Sequence, residues 1–139
     1  MSVDVNWLAI VLATLSSMLI GSIWYGGAGF GKMWGKLTKI DLKRMKTDAA
    51  MTMGIAIISS LIMAYVLAYF TFLSHRFFQN PFLQDALMTA LWMWFGFQAI
   101  RVVMHDAFEQ RRKKLTLLNM GNDFVTIMVM GLIIGLIHH

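Results

Sequence analysis

The chain has 139 residues, 58% of them hydrophobic and 14% charged, with a formal net charge of +5. That is the length of one domain, but more apolar than the roughly 45–50% typical of soluble domains. A water-soluble globule is therefore excluded and lipid is the expected solvent. The absence of cysteine removes disulfides and thiolate metal sites from consideration.

Four apolar runs, at 7–25, 49–73, 82–104 and 115–137, each approach or exceed the about 20 residues needed to cross a bilayer core. Helix is the assignment, because a lone helix satisfies its own backbone in hydrocarbon. Too little alternation is present for barrel strands. The first run lacks a basic leader and a small-x-small cleavage site, so a retained helix is expected rather than a signal peptide. In the loop after it, Phe30, Met33, Trp34 and Leu37 fall at i, i+3, i+4 and i+7, while Lys32, Lys36 and Lys39 take another side. That spacing predicts a short interfacial helix whose lysines reach towards headgroups. Thr47 and Asp48 suit the start of the second span, and Asn80-Pro81 marks the turn before the third.

Each span carries a stripe of small residues that lets helices approach. Ala13, Ser17 and Gly21 form one. Ala56, Ser60, Ala64 and Ala68 form the second. Ala86 and Ala90 begin the third, and Gly131 and Gly135 make the fourth. All four serve internal packing in one reading; in the other, the Gly131/Gly135 face joins subunits. The two halves also share a layout of span, basic loop and span, compatible with an old duplication.

Ten of the twelve Lys and Arg residues lie in two alternate loops. The first loop holds Lys32, Lys36, Lys39, Lys43, Arg44 and Lys46; the third holds Arg111, Arg112, Lys113 and Lys114. By the positive-inside rule these loops are cytoplasmic and both termini outside. Such a bias argues against a dual-topology antiparallel dimer. It also explains the basic charge without nucleic acid. The loop cations suit anionic lipid headgroups. Asp106 and Glu109 lie beside the third-loop cations, where a local ion pair is expected.

A charge inside a span costs at least about 2.5–3.5 kcal/mol on insertion scales. Arg101 and Asp123 lie well inside the runs, at similar heights on antiparallel neighbours; Asp85 sits near an outer end. Gln98 lies near Arg101, and Asn119, Asn122, Asp123 and Thr126 share one helix face. The expectation is an Arg101–Asp123 pair completed by Gln98, Asn119, Asn122 and Thr126. Three readings stand: a clamp fixing helix register, a half-buried site for an ion or small polar solute, or an Arg101 that snorkels to headgroups. The thirteen methionines are scattered and read as core filling rather than a copper site. Trp24, Tyr25 and Trp34 form one aromatic belt, and Trp7, Tyr69 and Phe82 the other. Trp92 and Trp94 lie mid-span, suited to packing or a cavity wall.

Asn6-Trp7, Gly21-Ser22-Ile23-Trp24-Tyr25-Gly26, Phe30-Gly31-Lys32 with Trp34, Met63-Ala64-Tyr65-Val66-Leu67-Ala68, Phe108-Glu109 and Asn119-Met120-Gly121 occur in that order. As a set they resemble the bacterial domain-of-unknown-function family numbered 1761. Two departures stand out: Gly27 replaces a common proline, and Asn122 replaces an aromatic. The resemblance implies a small four-span protein of the bacterial inner membrane and supplies no reaction.

The expected fold is therefore all-α: a bundle of four transmembrane helices with an interfacial helix in the first cytoplasmic loop. No nucleophile, phosphate loop, catalytic carboxylate pair or metal motif appears, so neither an enzyme nor a cofactor is expected. A channel or transporter subunit for an unnamed ion or small polar solute is the first functional expectation. Four short spans enclose little volume, so a pore would need a homo-oligomer. The alternative is a non-transporting scaffold, accessory or lipid-sensing protein whose partner is the bilayer itself.

Overall fold

The computed structural model describes residues 3–138, apart from the Leu42 side chain. Those residues form helices and turns with no strand. The first span is α1, Trp7–Trp24. Asn6 caps it, its side-chain oxygen accepting from the amides of Leu8 at 2.9 Å and Ala9 at 3.3 Å. Two short helices follow, α2 at Gly31–Thr38 and α3 at Leu42–Thr47. The second span is α4, Ala49–Phe78. The third is composite: α5 at Phe82–Met93, a π-helical segment at Trp94–Ala99, and α6 at Ile100–Phe108. The fourth is α7, Lys113–Leu136. All four are long and apolar enough to cross a membrane.

The expected interfacial helix is α2, and α3 adds a second short helix to the same loop. Three spans run past the limits set by hydropathy, the second to Phe78, the third to Phe108 and the fourth from Lys113. Hydropathy stops at the first polar residues, whereas helical hydrogen bonding continues until the chain turns. Thus α4 runs on through His75 and Arg76 and stops at Gln79, which takes the left-handed conformation at φ 56°. At about 1.5 Å per residue its 30 residues measure about 45 Å, more than the hydrocarbon core requires.

The spans pack in sequence order around a square: α1 beside α4, α4 beside α5, α5 beside α7, and α7 beside α1. Ile10, Leu67, Ile127 and Met130 fill the centre, and Ala13, Ala64 and Ala90 let the backbones close on it. Lipid is as apolar as this core, so close van der Waals packing holds the helices together. The bundle has two unlike ends. The terminal end carries residues 3–6, the α4–α5 turn and His138; the basic end carries the two cationic loops.

Packing is uneven between those ends. Residues 49–59 of α4 contain no buried residue, and the first is Ser60. Residues 100–105 of α6 are likewise unburied. In this half α6 packs on α7 and leaves α4. The second and third spans therefore diverge towards the basic end, while the opposite half is closed.

Small residues explain the closed half. A Cβ on Gly131 would stand 2.9 Å from Ala90 Cβ and 3.1 Å from Ala86 O. One on Gly135 would stand 2.7 Å from Leu83 Cδ1 and 2.9 Å from Leu83 Cα. The Gly131/Gly135 face is thus occupied within the chain, by α5. Ser60 and Ala64 are also buried internally. Gly21 is a correction to the packing stripe. Nothing lies within 4 Å of where its Cβ would be.

Candidate functional site

The anticipated polar cluster is rearranged. Arg101 is exposed, and no ion pair joins it to Asp123 among the described residues. The physical reason lies just upstream. The π-helical segment Trp94–Ala99 closes i→i+5 rather than i→i+4, which turns every later side chain away from the register of a straight α-helix. Gln98, inside that segment, donates to Met63 Sδ of the second span at 3.0 Å. Asn119 accepts from the Tyr25 hydroxyl at 2.8 Å. Only Asn122 stays with Asp123, its amide donating to the carboxylate.

Asp123 itself faces inward. It lies at i relative to Ile127, Met130 and Ile134 at i+4, i+7 and i+11, the residues of α7 that fill the core. It therefore occupies the core-facing line of α7, on the side where α4 and α6 diverge, with no basic side chain paired to it among the described residues. Nearby depth carries further unsatisfied polarity. Gln98 Oε1, Asn122 Oδ1, Thr126 Oγ1 and Trp94 Nε1 are buried without a hydrogen-bond partner. Such groups cost roughly 1–3 kcal/mol each when left dry. Trp94 packs its ring against Phe124 of α7 at 4.8 Å, whereas Trp92 is exposed.

The basic end is tied down by local bonds. Trp24 Nε1 donates to Leu118 O at 3.1 Å, beside the Tyr25–Asn119 bond. Gly121 leaves room for the Trp24 ring, whose Cζ2 would stand 3.0 Å from an added Cβ. The chain then turns sharply through glycines; a Cβ on Gly31 would meet Tyr25 O at 2.5 Å. Trp34 of α2 lies against Tyr25 at 5.2 Å between ring centres. Lys32 and Lys36 project from α2 into solvent, as do Arg112, Lys113 and Lys114 at the start of α7. Arg111 pairs with Glu109 at 2.6 Å and reaches Asp106 at 3.7 Å. The buried Asp106 also accepts from Thr116 Oγ1 at 2.6 Å, clamping the α6–α7 turn.

Trp24-Tyr25-Gly26 and Asn119-Met120-Gly121, distant in sequence, are thus one contact in space. The sequence model of a family described as "Protein of unknown function (DUF1761)" matches residues 8–135. The chain belongs to this family. No curated protein and no solved structure matches it. The DUF1761 match takes in all four spans but for Trp7 and Leu136 at their outer ends, and the Trp24/Gly121 contact lies within it.

A second polar site, at the terminal end, was missed in the sequence. Asp85 is 2% exposed and accepts from Asn80 Nδ2 at 3.1 Å. His75 Nδ1 donates to Asn80 O at 2.8 Å and lies 3.3 Å from Asp85 Oδ2. The sequence marks Asp85 only as a charge near a span end. The available signal was the tight Asn80-Pro81 turn, which folds His75 of α4 back over the first turn of α5. Beside His75 lies a cleft of about 500 Å³ lined by Asp4, Trp7, Phe72, Phe82 and Ile134 among others. Among the described residues no group of His, Asp or Glu side chains is arranged to hold a metal ion.

Proposed function

We propose that the protein is a small transport subunit of the bacterial cytoplasmic membrane, with its basic end in the cytoplasm and both termini outside. It takes an ion or small polar solute at the divergence of the second and third spans. It needs no cofactor and catalyses no reaction. The observation that carries this reading is Asp123, a carboxylate on the core-facing line of α7 that forms no ion pair among the described residues. A residue that only fixed register would be expected to hold a counter-charge as well as the Asn122 amide, since an intramembrane charge costs several kcal/mol otherwise. The orphaned atoms of Gln98, Asn122 and Thr126 support the same reading.

Ile10, Leu67, Ile127 and Met130 fill the centre of the bundle. Transport therefore requires either movement of α4 against α6 and α7 or assembly of several copies around a shared path. The alternative, a non-transporting lipid-sensing protein, is favoured by α2, where exposed Phe30 and Met33 accompany Lys32 and Lys36. Flux through reconstituted vesicles separates the two. Cation or small-solute flux above that of empty vesicles is expected, falling at least about tenfold in Asp123→Asn, which preserves shape and removes the charge. Absence of flux for protons, Na⁺, K⁺ and small polar amines would favour the lipid-sensing reading.

A further inference from the structure

We infer that the cleft at the terminal end binds an organic ammonium ion with an apolar body. The inference does not depend on transport, because the cleft lies at the opposite end of the bundle from Asp123.

Three features of the cleft specify that chemistry. Its volume of about 500 Å³ falls in the range of small-molecule sites, and Phe72, Phe82 and Ile134 give it an apolar wall. Asp4 stands in the lining as a carboxylate that makes no hydrogen bond or ion pair among the described residues. His75 completes the set. Its Nδ1 proton is committed to Asn80 O, which fixes the tautomer, and buried Asp85 holds the ring from the same side. In the neutral ring the remaining Nε2 carries a lone pair. It can accept from an N–H, as Asp4 can.

Two acceptors beside an apolar wall suit a primary or secondary ammonium bearing an aryl or alkyl group. Among the described residues the lining holds no Lys or Arg to meet an anion of the same shape; His138, which also lines it, stacks its ring on Phe82 at 5.0 Å between centres. Arg76, the basic residue on this end, is outside it, and its guanidinium lies over the Phe72 ring at 5.5 Å from the centroid. Asp85 is enclosed with Asn80 and His75, so its role is to position His75 rather than to touch the ligand.

The test compares 4-phenylbutylammonium with 4-phenylbutyrate, which share a body and differ in charge. Calorimetry in detergent, with protein-free micelles as blank, reads the affinity of each. The ammonium is expected to bind at least about tenfold more tightly than the carboxylate. Asp4→Asn, at an exposed position that does not threaten the fold, should weaken the ammonium at least about fivefold. Asp85→Asn should weaken it less than Asp4→Asn does. Equal affinity for the two probes, no saturable binding of the ammonium, or an Asp4→Asn protein indistinguishable from the parent would overturn the inference. Retained flux in Asp4→Asn together with lost ammonium binding would leave the transport reading standing apart from this one.

Discussion

At the scale of single residues, Trp24 has two roles. The sequence placed it in an aromatic belt, and its position at the basic end of α1 suits that. Its indole N–H also crosses to Leu118 O, and its ring fills the space that Gly121 leaves open. Trp24→Phe keeps an aromatic ring and removes the donor. It should lower stability by about 1 kcal/mol, the usual net worth of one hydrogen bond, as measured by loss of helical signal on titration with a denaturing detergent. Gly121→Leu should cost more, about 1–3 kcal/mol, because the rigid indole cannot yield easily. An unchanged Gly121→Leu protein would mean that the bracket is not formed. Such pairings were only half legible. Polar residues at membrane depth announced that Asn119 and Gln98 would need partners, but nothing in their spacing named Tyr25 or Met63.

At the scale of elements, the small-residue stripes were legible because they follow helical periodicity alone. Which neighbour each stripe meets was not, since that depends on the order of helices around the bundle. Gly131 and Gly135 meet α5, whereas Gly21 meets nothing. Gly131→Leu should therefore destabilise the bundle by about 1–3 kcal/mol through overpacking against Ala86 and Ala90. Gly21→Leu should stay within about 0.5 kcal/mol of the parent, as surface changes usually do, or gain slightly from helix propensity. Thermal unfolding of the two variants in the same detergent separates them. Equal losses would place a partner on the Gly21 face. The π-helical segment escaped the sequence altogether. Trp-Phe-Gly-Phe-Gln-Ala has ordinary helical residues and one glycine, and i→i+5 bonding has no periodic signature over six positions. Its consequence was large: the Arg101–Asp123 pairing assumed an unbroken α-helix across those positions.

At the scale of the whole molecule, the number of spans and the segregation of charge to one end both followed from composition along the chain. The cost of a side chain in hydrocarbon is greater than most local preferences. The first turn of α7 illustrates the balance. Lys113 and Lys114 sit at a helix N-terminus, where the dipole disfavours cations by roughly 0.3–1 kcal/mol each in exposed positions. Carrying one such charge through the bilayer centre costs about 2.5–3.5 kcal/mol even on insertion scales, so sidedness outweighs the dipole. The proposed orientation follows from the same comparison. Because the chain has no cysteine, single-cysteine variants report it without background. Lys39→Cys, on the loop between α2 and α3, should react with an impermeant maleimide only after the cells are opened. Gln79→Cys, in the α4–α5 turn, should react in intact cells. Both positions are exposed, so burial would not mask a label. The reverse pattern would put the basic end outside and the His75 cleft inside. Labelling of both sites in intact cells would mean mixed insertion, against a bias in which ten of twelve cationic residues share one end.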